Sequence, residues 1–210
     1  MKKLMSFFFG SLFIVLLASN LQAQVSLGIK AGASLSEVRL QNNLLDLVGA
    51  NDIFEPIAGF HGGLSLHTPV AEDFQLVSEL IYSQKGFKAT APFITEANAT
   101  TTFHYLSLPV MLFFEPVDQL SVGVGAEAGY LLNAQAKAAG VSLDISDAWR
   151  EVDFGLNFGI KFDATEDLWI EGRYTLGLSP LVRDGTGLPI DSALKVSNRA
   201  AQLAVGYRIY

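Results

Sequence analysis

Five charged side chains raise the first question of chemistry. Lys30, Glu79, Glu127, Glu171 and Arg173 each lie in a stretch where bulky apolar residues favour alternate positions, and each falls on the other set. An ion inside such a stretch is costly alone, but tolerable when an opposite charge and hydrogen bonds meet it. Their mixed signs point to an ion-pair plug, with a narrow, gated conduction path as the competing reading. Neither is catalysis.

Other reactive types are present without a pattern. His61, His67 and His104 could serve as metal ligands or as a general base, but their spacing fits no ligand motif and no serine or acid completes a triad. Asp153 and His61 are the acid and histidine that a protease at a barrel rim would use, and nothing else supports that reading. A barrel acyltransferase would need an apolar interior, where this pattern puts charges. Gly123, Gly125 and Gly129 have the wrong spacing for a dinucleotide loop and sit inside a strand pattern. Asp163, Glu166 and Asp167 share a turn that reads as solvated. No catalytic, cofactor-binding or metal-binding residue is assigned, no cofactor is expected, and the chain reads as a non-enzyme.

The charges need elements that hold them in register, and Glu151 to Phe162, EVDFGLNFGIKF, shows their kind. Val152, Phe154, Leu156, Phe158, Ile160 and Phe162 form one set; Glu151, Asp153, Gly155, Asn157, Gly159 and Lys161 form the other. A period of two is a strand period. A soluble half-buried strand would carry a charge-rich outer face with fewer glycines. Glycine mixed with single charges suits a narrow lumen, where small residues leave room for a few long side chains near the axis. The first set is therefore read as the lipid-facing side of the sixth strand of a transmembrane barrel.

Composition bounds the same reading. The 210 residues suffice for one domain; 50% are hydrophobic, only 17% are charged, and mean hydropathy is +0.34. Yet no apolar run approaches the roughly 20 residues of a membrane helix. Phe7 to Ala18 comes nearest. It follows Lys2 and Lys3 and precedes a small-residue exit, so residues 1–23 read as a secretory signal peptide cleaved after Ala23, and 24–210 as the barrel domain. Losing both lysines makes the formal charge of −7 more acidic still. An acidic export product without a basic patch is not a nucleic-acid binder. With no cysteine, neither a lipoprotein anchor nor a disulfide is available.

Taken in order, the pattern gives eight strands. They are Val25 to Leu35, Ile57 to His67, Phe74 to Lys85, Thr102 to Phe114, Gln119 to Leu132, Glu151 to Phe162, Leu168 to Leu178 and Gln202 to Ile209. Long connections at Ser36 to Pro56, Gly86 to Ala99, Asn133 to Trp149 and Ser179 to Ser197 alternate with short turns at Thr68 to Asp73, Glu115 to Asp118 and Asp163 to Asp167. The fourth strand alternates least well: Phe103, Tyr105, Met111 and Phe113 are apolar on its inward side, and Pro109 marks a bulge or an edge. Phe60, Phe74, Tyr82, Phe114, Tyr130, Phe154, Phe162, Tyr174 and Tyr207 fall outward, mostly toward strand ends, as interfacial girdles do. The fold expected is all-β: an eight-stranded antiparallel up-and-down transmembrane β-barrel with short periplasmic turns and long extracellular loops.

The segments GIKAGASLSEV, ELIYSQKG, YLSLPVMLFF, GAEAGYLLNAQ, RYTLGLSPL and NRAAQLAVGYRI resemble the porin-like or PorT-type outer-membrane β-barrel proteins of the Bacteroidetes, over essentially the whole mature chain. The resemblance implies a bacterial outer-membrane location and admits an accessory role in type IX protein secretion. The chain departs from the usual barrel terminus, because its alternating set ends at Ile209 and Tyr210 is one residue out of register.

The functional expectation is a monomeric barrel in outer-membrane lipid, acting through its surface loops or periplasmic face with envelope or secretion-system proteins as partners. The alternatives are a narrow porin for small solutes and a soluble, lipocalin-like ligand-binding barrel. The last requires inverted faces, with the aliphatic set lining a cavity.

Overall fold

A computed structural model describes residues 25–41, 54–90, 98–138, 140–181 and 195–209. The expected leader and cleavage site, the central parts of three expected outer loops and Tyr210 lie outside these residues. Alternation becomes strand throughout the described chain. The strands are β1 (Ser26–Gln41), β2 (Phe54–Ala71), β3 (Phe74–Thr90), β4 (Asn98–Val117), β5 (Leu120–Ala138), β6 (Val141–Asp144), β7 (Val152–Asp163), β8 (Leu168–Gly177) and β9 (Lys195–Arg208).

Every neighbouring pair is antiparallel, and the order β4-β3-β2-β1-β9-β8-β7-β5 closes on itself through a β4–β5 pairing. The result is the expected eight-stranded barrel, with the four-residue β6 folded back on the end of β5 as an extra hairpin. Closure gives every wall strand two neighbours, so none presents a free edge along its full length. The sixth strand of the sequence reading is β7.

The two faces separate as the period of two requires. On β7, Val152, Phe154, Phe158, Ile160 and Phe162 are exposed and Leu156 is half-buried, while Asp153, Gly155, Asn157, Gly159 and Lys161 are buried. On β1, Leu27, Ile29 and Leu35 are exposed, and Lys30, Ser34 and Ser36 are buried. The aliphatic set therefore lies outside and the charged set inside, opposite to the soluble ligand-binding alternative. Outward aromatics gather toward both ends: Phe74 packs on Phe114 near the short turns, and Phe60 packs on Tyr82 toward the other end.

Three expectations need correction. The wall strands run well into the connections read as loops, with β1 reaching Gln41, β4 starting at Asn98 and β5 reaching Ala138. Beyond the outward apolar belt the ladder continues to satisfy N–H and C=O groups, and there it is the inward residues Val38, Phe87, Ala134 and Val196 that stay buried. The third loop is likewise structured, holding β6 and a 3-10 turn at Ser146–Ala148.

Pro109 marks neither an edge nor a bulge. It lies in the wall with its side chain fully buried, and β3–β4 pairing lapses from Ser78↔Val110 to Ile81↔Ser107 without a change of register. The β4–β5 irregularities fall instead at His104/Tyr105 and Phe114/Val117. Near the second, Gln119 takes φ 72 and donates its N–H to the Glu115 side chain at 2.9 Å.

Candidate functional site

The lumen is where the inward charges converge. β1 carries Lys30, β3 carries Glu79 and β8 carries Glu171 and Arg173, two residues apart and so on the same face. Arg173 donates to both carboxylates. Its Nη1 and Nη2 reach Glu79 at 2.6 and 3.0 Å, and its Nε reaches Glu171 Oε1 at 2.7 Å. Lys30 Nζ closes the ring at 2.5 Å from Glu79 and 3.3 Å from Glu171. The four side chains are only 1–3% exposed. Two cations facing two carboxylates leave the quartet neutral, and the fork of Arg173 gives Glu79 two parallel charge-assisted bonds.

Glu127 belongs to a second group nearer the long loops. Lys85 Nζ lies 2.8 Å from Glu127 Oε1, and Asn157 Nδ2 donates to Glu127 Oε2 at 3.1 Å. Thr175 Oγ1 donates to Asn157 Oδ1 at 2.7 Å. Higher still, Asn198 Nδ2 donates to Asp153 Oδ2 at 3.0 Å. Lys85 was legible as inward, but it stood at the assumed end of its strand, where its depth was hidden. Asn157 and Thr175 carried no signal beyond their parity.

Toward the short turns a third group appears. Lys161 donates to Gln75 Oε1 at 2.7 Å, and Arg208 Nη2 meets Asp163 at 2.5 Å. His67 Nδ1 lies 3.1 Å from the same Gln75 oxygen, and its Nε2 lies 3.0 Å from Ser65 Oγ. Because a carbonyl oxygen only accepts, Nδ1 carries the proton and Ser65 donates to Nε2. Trp169, fully buried, stands edge-on to His67 at 4.9 Å. A Cβ on Gly206 would come within 2.1 Å of the Trp169 ring, and one on Gly28 within 2.5 Å, so both positions must lack a side chain.

Apolar side chains fill the rest. Val77, Met111 and Phe113 form a buried cluster on the short-turn side of the quartet. Val38, Phe87, Phe103, Tyr105, Leu131, Ala134, Leu181 and Val196 form a larger one toward the long loops, with Trp149 packed against it. The room for these rings comes from glycines. A Cβ on Gly123 would meet Phe113 at 2.6 Å, and one on Gly125 would meet Met111 Cγ at 2.7 Å. Gly123, Gly125 and Gly129 thus accommodate neighbouring strands, not a phosphate.

The remaining candidates are not brought together. His61 and His67 are buried on β2, whereas His104 lies on the outer side of β4, its Nδ1 2.6 Å from Tyr82 Oη. Asp153 bonds to Asn198. In the acidic turn, Arg208 takes up Asp163 and also the Glu166 carbonyl, while Thr165 Oγ1 accepts from the Leu168 amide at 2.9 Å. Outside the wall, Asp144 accepts from the amide and hydroxyl of Ser146 at 2.9 and 2.7 Å. These bonds hold its carboxyl below the usual carboxylate range.

The family model for the outer membrane protein beta-barrel domain matches residues 18–183. No curated protein matches the chain. Among solved structures, Neisserial surface protein A is 14% identical, with 88% of this chain and 97% of that one covered and a TM-score of 0.50. Ail, the attachment invasion locus protein of Yersinia pestis, solved in complex with the heparin analogue sucrose octasulfate, is 16% identical; 88% and 99% are covered at a TM-score of 0.46. OprG of Pseudomonas aeruginosa is 11% identical, with 88% and 96% covered at 0.43. At such identities a structural likeness speaks to fold alone. With a closed eight-stranded wall and a family match over most of its length, the chain belongs to the outer membrane protein beta-barrel domain family and is a protein of the bacterial outer membrane.

Proposed function

We propose that this barrel is a sealed, non-enzymatic monomer. It acts through its outer loops or periplasmic face, in envelope structure, surface interaction or an accessory role in type IX protein secretion. Residues 1–23 are a leader removed after Ala23. The outer set on β7, from Val152 to Phe162, lies in lipid. Lys30, Glu79, Glu171 and Arg173 close the lumen, with Glu127 and Lys85 closing it again one level up.

The observation that carries the reading is the quartet itself. Each of its four charges meets opposite charge within 3.4 Å, and apolar clusters flank it on both sides. An eight-stranded interior is about wide enough for side chains alone, so a paired layer leaves no continuous aqueous path. Planar-bilayer recording of the purified protein tests this: baseline conductance is expected. Steady channels well above background would overturn the sealed reading in favour of a narrow porin.

A further inference from the structure

The apolar outer belt ends together on two neighbouring strands. β1 turns Leu27, Ile29, Ala31, Ala33 and Leu35 outward, then Glu37 and Arg39; β9, from its short-turn end, turns Ile209, Tyr207, Val205, Leu203 and Ala201 outward, then Arg199. Each apolar run rises about 21 Å from its first to its last Cα once the strands are tilted by roughly 40°, within the roughly 25 Å of a barrel's hydrocarbon band, and the charged residues begin one outward position higher. Arg39 and Arg199 therefore stand at headgroup level. In register Glu37 faces Arg199 and Arg39 faces Ser197, so the two arginines are diagonal neighbours within reach of one ligand.

Among the described residues neither arginine has an ion-pair partner, and Arg199 Nε is buried without a hydrogen-bond acceptor. Glu37 cancels one of the two charges and leaves the trio cationic. Lys88, also above the belt, is already paired with Glu55 at 2.9 Å.

We propose that Arg39 and Arg199 hold the phosphate of an anionic outer-leaflet lipid against the β1–β9 face. A guanidinium presents parallel donors to two phosphate oxygens, and two of them clamp the group from adjacent strands. A lipid, not free phosphate, is the ligand because the strip beneath is shaped for a chain. Ala31, Ala33 and Ala201 are small and exposed there, between Leu35 and Leu203, which are 58% and 61% exposed. The inference rests on the lipid-facing reading of the outer wall.

The test uses the full mature protein in phosphatidylcholine nanodiscs, with spin-labelled phosphatidylglycerol and phosphatidylcholine as probes. Wild type should immobilise the anionic probe preferentially. Arg39→Gln with Arg199→Gln should lower that preference by about five-fold for each arginine, and Glu37→Gln should raise it. A folded double variant with unchanged preference, or a Glu37→Gln variant with weaker preference, would overturn the assignment. Loss of the preference in millimolar inorganic phosphate would assign the site to soluble phosphate and overturn its lipid half. A protein that stays soluble and never enters the discs would overturn the membrane reading, and this inference with it.

Discussion

Midway along the barrel axis the lumen holds Lys30, Glu79, Glu171 and Arg173 within salt-bridge distance of one another. Val77, Met111 and Phe113 fill the level toward the short turns, and Phe87, Phe103 and Trp149 fill one toward the long loops, beyond Glu127 and Lys85. Both kinds of level fill the lumen with side chains, and they do so by different complementarity. The ionic level needs matched charge: its carboxylates are contributed by β3 and β8 and its cations by β1 and β8, so removing one leaves another buried and uncompensated. The apolar levels need matched volume. In the one toward the short turns β4 supplies Met111 and Phe113 and β5 and β7 supply Gly123, Gly125 and Gly159, so removing a side chain leaves a gap. Charge matching is strict in sign and lenient in shape, and volume matching is the reverse.

That difference predicts the ranking of substitutions. Arg173→Met keeps bulk but strips Glu79 and Glu171 of their shared partner, and should destabilise the folded barrel by about 3–5 kcal/mol, measured by urea titration in bilayers. Adding Glu79→Gln should recover part of that loss, since one orphaned charge disappears. If the single and double variants unfold alike, the quartet is not coupled. Phe113→Ala should cost about 3 kcal/mol, the low end for a buried phenylalanine, because Lys161, whose Nζ lies 5.4 Å from the ring centroid, can settle into the space. Adding Gly123→Leu should restore stability, because the leucine would occupy the volume of the lost ring. Failure of that rescue would show that the glycine does not serve the ring.

The same difference explains what was legible in the sequence. The closed eight-stranded wall followed from parity and from connections that alternate long and short, because lipid on one side imposes an apolar residue at every second position and tolerates no free edge. Lys30, Glu79, Glu171 and Arg173 were visible as charges out of keeping with their stretches, though nothing local said that Glu127 would face Lys85 instead of the other four. Volume matching was not legible. Phe113 and Gly123 are register partners across β4 and β5, but a phenylalanine on an inward face reads as a broken alternation until its glycine is seen opposite. The extended hairpins were not legible for another reason: past the belt the outer face turns polar, and the apolar residues that stay buried, such as Val38 and Phe87, stand on the inner set.

Sidedness can be sharpened by moving a charge across the wall. Leu156→Arg, on the outer set near mid-height of β7, should lower barrel stability by about 2–4 kcal/mol. Asn157→Arg, one residue along and inside, brings a cation beside Glu127, whose Oε2 already accepts from Asn157. It should be the milder of the two in the same titration. Equal losses would mean that the two faces are not distinguished by lipid.

The smallest effect belongs to the hairpin beyond the wall, where neither charge matching in a dry interior nor ring packing applies. Asp144 there is fully solvated, and its bonds to the Ser146 amide and hydroxyl, with Asn133 Nδ2 at 3.2 Å, depress its pKa. A folded value below the unfolded one means that the contribution is complete above the unfolded pKa and fades as pH falls through the folded one. Ser146 Oγ in turn accepts from the Ala134 amide at 2.9 Å, tying the 3-10 turn to β5. Asp144→Ala should therefore raise hydrogen exchange at the Ala134 and Ser146 amides several-fold near neutral pH while leaving the unfolding midpoint of the barrel unchanged. Acidification of the wild type should reproduce the loosening locally. Exchange at those two amides that is indifferent to both changes would show that the hairpin is held by its β5–β6 ladder alone.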